Sequence, residues 1–378
     1  MKYLPFIWAN LRRKPLRTVF TLISLTFAFT LLGLDLGLKE DLRQATESAR
    51  ADRIHTVARL AGRLGLPQKN QIAQLPGVAA IGALDGVEGY YQRPGNNLAV
   101  IMVDAGMRTV VPELLPSSRQ WQLLASRPDG VLVSHFLAAR YRLRPGSDLR
   151  VTAKGPDAWN FKILGVVPDI PTMPVGFSVG NYDYLEQVRP HADRGAVREF
   201  WLTAKDAAAA DAVAHEIDAR FSRSAVPTRS DSETVLIRNA ASALGNAILA
   251  LSTIAVVGVV MIMILTANAL RHSIRERTTE IAVLKTLGYS NSAILALVLV
   301  EAALPCIAGA VLGLGIAAAA SAVMPFLLPA GVILPPPKIN PEVIGTGIGA
   351  ALLVALAAAA GPVLKITQLD VATALARH

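Results

Sequence analysis

Six histidines are spread along the chain, His55, His135, His191, His215, His272 and His378, and no two stand at metal-ligand spacing. Ser134-His135 are sequence neighbours, which is not how a nucleophile and its base are arranged. His215-Glu216 lacks the second histidine that a zinc helix needs. The one cysteine, Cys306, excludes an intrachain disulfide and a cysteine-based metal centre. No Gly-x-x-x-x-Gly-Lys-Ser/Thr phosphate loop occurs in the 378 residues. Gly345-x-Gly347-x-Gly349 follows no strand, so it is not a dinucleotide fingerprint. The reading is a chain without catalytic residues, a metal site or a bound cofactor. One ionisable residue, Glu301, stands well inside a long apolar run. Such a carboxyl is a functional candidate by default. It has no second acidic residue to relay a proton to, and pairing with Asn268, Thr266 or a backbone group is the favoured reading.

The elements around these residues are set by hydropathy. Apolar residues make up 52% of the chain and charged ones 17%, with a mean hydropathy of +0.42. That composition excludes a disordered chain and a small disulfide scaffold. Four stretches reach the roughly 20 apolar residues needed to cross a bilayer: Thr18–Leu38, Ala243–Leu270, Ile294–Leu328 and Val343–Leu364. The first exceeds the core of a secretory signal, and no small-x-small cleavage site follows it, so it reads as an uncleaved helix. Asp35, near its end, is expected at the interface, where hydration is cheap.

The net charge of +9 raises nucleic acid as a partner, but its placement argues otherwise. Lys2, Arg12, Arg13, Lys14 and Arg17 precede the first span, and Arg271, Arg275, Arg277 and Lys285 lie between the second and third. Lys365 and Arg377 follow the fourth, whereas the loop between the third and fourth carries Lys338. Basic residues in short loops mark the cytoplasmic side. Residues 39–242 then lie outside, with 25 Lys/Arg against 22 Asp/Glu. The expected map is a cytoplasmic amphipathic segment 1–17, spans at 18–38, 243–270, 291–328 and 343–364, an outer domain 39–242, a cytoplasmic loop 271–290, an outer loop 329–342 and a cytoplasmic tail 365–378. Tyr3, Phe6 and Trp8 suit the membrane interface.

The outer segment alternates strand and helix signals. Strands are expected at Ile54–Leu60, Val78–Tyr91, Leu98–Val103, Val131–Ser134, Asp148–Ala153, Phe161–Val167 and Glu199–Ala204. Helices are expected at Gln68–Gln74, Arg119–Ser126, His135–Tyr141, Tyr184–Val188 and Asp206–Phe221. This is an α+β pattern, divided into a block from both ends of the segment and an inserted block near 95–195. Leu38–Arg53 lacks a helix breaker and continues the first span; Asp231–Ala243 leads into the second. Gly33-x-x-x-Gly37, Gly309-x-x-x-Gly313 and Gly345-x-x-x-Gly349 suit close helix packing. Pro335-Pro336-Pro337 reads as a stiff outer hairpin.

Between the second and third spans, charged residues lead and an apolar stripe follows at Ile281, Leu284 and Leu287, ended by Gly288. Ser290 or Asn291 can cap the next helix. A short amphipathic helix of this kind needs a partner for its stripe, either lipid or protein.

The run Glu276-Arg-Thr-Thr-Glu-Ile-Ala-Val-Leu-Lys-Thr-Leu-Gly-Tyr-Ser290 resembles the signature of MacB/FtsX-type ABC transporter permeases. So do Asn10 to Thr18, Gly130 to Ala138 with Leu143-Arg-Pro-Gly146, Phe161 to Pro168, Glu301, the tail from Pro362 to Ala376, and the one-plus-three arrangement of spans. The resemblance implies an integral membrane α-helical protein with four transmembrane helices and an α+β extracytoplasmic domain, similar to the MacB-like periplasmic core domain, inserted between the first two. It implies that Glu276, Arg277, Glu280, Ile281, Leu284, Lys285, Leu287 and Gly288 form a coupling helix seated on a cytoplasmic ATPase. It also implies a bacterial inner (cytoplasmic) membrane location. The expected partners are a separate ABC ATPase that binds ATP and Mg2+, a second permease copy in a homodimer, membrane lipid and a periplasmic adaptor, with no nucleic acid. The expected role is mechanotransmission for export or extraction of a hydrophobic or amphipathic molecule such as a lipid, lipoprotein, peptide or antibiotic. The alternatives are a regulatory coupler that activates an envelope partner such as a wall hydrolase, and a membrane-anchored receptor or scaffold with no ATPase.

Overall fold

The computed structural model describes residues 15–153, 158–170, 176–276, 286, 289–327 and 337–367. They fall into two compact units, one within Met1–Asp41, Leu244–Val323 and Pro336–His378, the other within Leu42–Ala243 and Met324–Pro335. In chain order the elements are α1 (Pro15–Ser48), β1 (Arg53–Ala58), β2 (Leu64–Gly65), α2 (Leu66–Ala73), β3 (Val78–Tyr91), β4 (Asn97–Val103), α3 (Met107–Val110), α4 (Ser118–Ser126) and β5 (Gly130–Ser134). They continue with α5 (His135–Tyr141), β6 (Asp148–Ala153), β7 (Ala158–Val167), β8 (Ser178–Asn181), α6 (Tyr182–Val188), β9 (Ala196–Val197), β10 (Glu199–Ala204), α7 (Ala210–Phe221) and β11 (Thr228–Ser232). The last three helices are α8 (Glu233–Glu276), α9 (Asn291–Leu327) and α10 (Pro341–Thr367).

In the first unit, α1, α8, α9 and α10 are the helices long and apolar enough to cross a membrane among the described residues. Local signals set their ends. Pro341 opens α10, where a missing N–H costs nothing and φ is already helical. Asn340 Oδ1 accepts from the Val343 N–H at 2.9 Å and caps α10. The polar end of α1 is supported by an Arg43–Glu47 pair at 2.8 Å. Leu25 and Phe29 of α1, Ile262 of α8, Val298 and Cys306 of α9 and Val354 of α10 form one buried cluster. Phe20, Phe27, Met261 and Leu353 remain exposed, as lipid-facing side chains would.

Glycine sets how closely α1 and α9 approach. A Cβ at Gly313 would stand 2.6 Å from the Thr26 carbonyl oxygen and 2.8 Å from the Phe29 Cβ, and one at Gly309 would stand 2.5 Å from the Leu25 Cβ. The approach lets Thr30 Oγ1 donate to the Gly313 carbonyl at 3.2 Å. A Cβ at Gly345 or Gly349 would meet nothing within 4 Å among the described residues. Gly313→Leu is therefore expected to push α1 off α9 and cost about 1–3 kcal/mol. A lowered melting temperature of the full chain in detergent would record it, with Gly345→Ala unchanged as the control.

Asp35 differs from expectation. It is 3% exposed, with Oδ2 held by Lys39 Nζ at 2.8 Å and Oδ1 by Ser252 Oγ of α8 at 2.7 Å. Burial of a carboxylate requires such partners. The next turns tie α1 to the segment before α10: Asn340 Nδ2 donates to Glu40 at 3.0 Å, and Lys338 pairs with Asp41 at 3.3 Å. Pro335 and Pro336 lie outside the described residues.

The second unit is a domain inserted between α1 and α8. Its main sheet has the order β11-β1-β10-β3-β4-β8-β5-β7-β6, and β6 also pairs with β3. The six strands from β3 to β6 thus close into a ring, which removes two sheet edges. Strands from both ends of the segment, β11, β1 and β10, extend the sheet beyond that ring. The two blocks expected from the sequence therefore share one sheet, and β3 belongs to both. Its fourteen residues pair with β10 through Val78–Leu84 and with β4 through Leu84–Tyr90. The β4–β8 and β5–β7 pairs are parallel, and the others in this sheet are antiparallel.

One cluster is polar and buried. Asp85 of β3 is fully buried, its Oδ2 is 3.1 Å from Arg189 Nη1, and its Oδ1 bonds Arg63. Arg189 also donates to Tyr182 Oη at 2.7 Å and to the Ala196 carbonyl at 2.8 Å, and pairs with Glu186. Burial pushes the Tyr182 phenol pKa up.

Candidate functional site

The segment singled out in the sequence lies between α8 and α9. Glu276, the last described residue of α8, pairs with His272 at 3.1 Å, one turn back. Arg277, Glu280, Ile281, Leu284, Lys285, Leu287 and Gly288 lie outside the described residues. Its two anchors are described. Ser290 Oγ accepts from the Ala293 N–H at 3.3 Å, so Ser290 caps α9. On the other side, Leu270 of α8 packs in the same buried cluster as Ile294 of α9.

Glu301 helps to fix this end. Ser273 Oγ donates to Glu301 Oε1 at 3.1 Å. Ser273 lies in the last described turn of α8, so Glu301 meets α8 where that helix leads toward the candidate segment. The bond joins α8 to α9 beside the segment they hold. Thr266, an expected partner, is buried, and its hydroxyl has no hydrogen-bond partner among the described residues. Pro305 stands four residues after Glu301 inside α9 and has no N–H to donate to the Glu301 carbonyl. Glu301→Gln keeps an acceptor for Ser273 and is expected to cost less than about 1 kcal/mol. Melting of the full chain should change little, and a large loss of ATPase contact with intact folding would refute a purely structural role.

Other candidate side chains do not come together. Ser134 Oγ is buried and caps α5 by accepting from the Leu137 N–H at 3.3 Å, while the His135 side chain is exposed. A cleft of about 280 Å³ opens beyond the ends of β4 and β8, with Trp121 and Leu124 of α4 on one wall. No local pattern in the sequence marks it. Its polar groups serve local bonds: Asp104 takes Lys69 and the Gly106 N–H, Arg108 reaches Ser118 Oγ at 3.2 Å, and Asn181 Oδ1 caps α6 at 2.9 Å.

A family model of the MacB-like periplasmic core domain matches residues 18–220, and one of the FtsX-like permease C-terminal region matches residues 252–371. The chain belongs to the MacB/FtsX-type permeases. This permease is similar in structure to the periplasmic region of MacB from Actinobacillus actinomycetemcomitans, at 9% identity and a TM-score of 0.37, covering 51% of this chain and 94% of that one. It is also similar to the extracellular domain of the noncanonic ABC-type transporter YknZ from Gram-positive bacteria, at 9% identity and a TM-score of 0.34, covering 48% of this chain and all of that one. No curated protein matches the sequence. Membership makes the chain a multi-pass membrane protein and a permease component of the ABC transporter type. The family implies partnership with an ABC ATPase, a typically dimeric assembly and an inner-membrane location.

Proposed function

We propose that this permease works by mechanotransmission, coupling ATP hydrolysis on a separate ATPase to movement of the inserted domain. Two copies pair with two ATPases, each of which binds ATP and Mg2+. The segment 276–288 seats on the ATPase, with Ile281, Leu284 and Leu287 in an apolar groove and Glu276, Arg277, Glu280 and Lys285 setting register at its rim. The observation that carries the reading is helix length. The 44 residues of α8 extend about 66 Å at 1.5 Å per residue, against a hydrocarbon core of about 30 Å. One unbroken helix therefore begins within the inserted domain and ends at the candidate segment. The 34 residues of α1 lead into the same domain. Cargo is hydrophobic or amphipathic, a lipid, lipoprotein, peptide or antibiotic, handled on the outer side or passed to a periplasmic adaptor.

The test is purification of the full chain from native membrane, with copurified proteins and lipids identified by mass spectrometry. An ABC ATPase in equal amount supports the proposal, and its absence refutes it. A copurified wall hydrolase with no exported cargo would replace transport by regulation. Labelling of residues 271–290 by an impermeant reagent from outside intact spheroplasts would also end it.

A further inference from the structure

One face of the inserted sheet gathers polar side chains on directly paired positions. Arg53 and His55 of β1 stand opposite Thr203 and Trp201 of β10, and alternate residues of a strand share a face. The His55 and Trp201 rings lie 4.0 Å apart between centroids, and the Arg53 guanidinium is 5.9 Å from the Trp201 ring. Arg53 and Trp201 are 1% and 8% exposed. Seven buried side-chain atoms lack a hydrogen-bond partner among the described residues, and four belong to this patch: Arg53 Nε, His55 Nε2, Trp201 Nε1 and Thr203 Oγ1. Chance would scatter them over the chain.

The patch stands where both long helices join the domain. Arg53 opens β1 shortly after α1 ends at Ser48, and Glu233 opens α8. Arg53 Nη1 donates to Glu233 Oε2 at 3.2 Å, and its Nη2 donates to Glu113 Oε1 at 2.5 Å. The Arg50 N–H reaches the same Glu233 oxygen at 3.3 Å. Arg50 also grips Asp52 and holds that carboxyl below the usual range. Glu113 follows α3, which packs on β3 and β10. One guanidinium thus bridges the root of α8 and the layer over the sheet, and the same Glu233 carboxylate takes the N–H of Arg50, two residues after α1.

Stability does not explain this arrangement. A buried ion pair often adds nothing over an apolar replacement, although breaking it is costly. Orphaned donors beside it add a further penalty. A transmission joint has a use for such a connection, because it resists pulling yet is not locked into a fully satisfied network.

We propose that Arg53 is the positioning residue that carries displacement of α8 into the β1–β10 face, through its ion pair with Glu233. The proposal rests on the mechanotransmission reading. Displacing Glu233 then drags Arg53, and Arg53 drags β1 and the Glu113 segment together.

The test uses the full chain with its copurified ATPase in lipid nanodiscs. A spin label on Asp211→Cys, exposed on α7, reports the distance between the two copies with and without ATP and Mg2+. Glu233→Gln removes the charge and keeps the shape. Arg53→Lys keeps a cation but cannot bridge both glutamates. The ATPase bound to either variant should hydrolyse ATP at the rate it shows with the unsubstituted chain, while most of the ATP-dependent distance change is lost. Equal distance changes in the variants and the unsubstituted chain overturn the role of Arg53 and leave mechanotransmission standing. No change in the unsubstituted chain overturns both. If Glu233→Gln fails to fold, Arg53→Lys decides. If both lose fold and ATPase contact together, the pair is merely structural and the proposal is wrong.

Discussion

Replacing Leu284 with aspartate is expected to release the ATPase from the permease. Leu284 is at the middle of the apolar stripe Ile281, Leu284 and Leu287, between Glu280 and Lys285. A leucine buried in a groove contributes about 1.5–3 kcal/mol, and a carboxylate in its place must also be desolvated without a partner. A central anchor of this kind is worth about 2–4 kcal/mol, or roughly a 30- to 1000-fold weaker complex. The ATPase should be lost on purification, while the permease folds and inserts as before. Lys285→Ala, at the rim, should slow association in a salt-dependent way and weaken the complex far less. A Leu284→Asp chain that still holds and stimulates its ATPase would mean that this stripe faces lipid.

The sequence was most legible where one element satisfied itself locally. β3, β6, β10 and α5 have the bounds their patterns suggest, because alternation and flanking turns define them without help from elsewhere. β11 escaped notice because Thr228-Arg-Ser-Asp-Ser232 has no apolar alternation. Its inward residues are hydroxyls instead, and Asp218 of α7 accepts from Thr228 Oγ1 at 2.8 Å and Ser230 Oγ at 2.9 Å. The short Ser-Val-Gly-Asn of β8 was missed for want of length. So was α3, a single turn. Closure of the ring by β6 on β3 joins residues some sixty positions apart, a pairing no local pattern encodes. For the candidate site, the stripe lies outside the described residues, while Ser290, one of the two caps the sequence offered for the next helix, does cap α9. The Ser273 partner of Glu301 and the Arg53–Glu233 pair could not, since the latter are 180 positions apart.

Asp85→Ala is expected to cause the largest loss of folding stability, and to do so without touching the ATPase contact. Asp85 is fully buried and answers two arginines, Arg63 and Arg189, while its Oδ1 also accepts from the Gly86 N–H at 2.8 Å. Arg189 is only 5% exposed. Removing the carboxylate leaves that guanidinium underpaired in a dry site, which costs about 3–5 kcal/mol. Glu186 still faces Arg189, which argues for the lower part of the range. A domain of this size loses about 2–4 °C of melting temperature per kcal/mol, so a fall of roughly 6–20 °C is expected. Asp85→Asn keeps an acceptor and the shape, and should fall between the two. The network lies among β3, α6 and the turn before β9, within the inserted domain. At temperatures where the variant stays folded it should therefore retain its ATPase, the reverse of Leu284→Asp. If Asp85→Ala melted like the unsubstituted chain, Glu186 alone would be holding Arg189. If it lost the ATPase while folded, the contact would extend beyond the stripe.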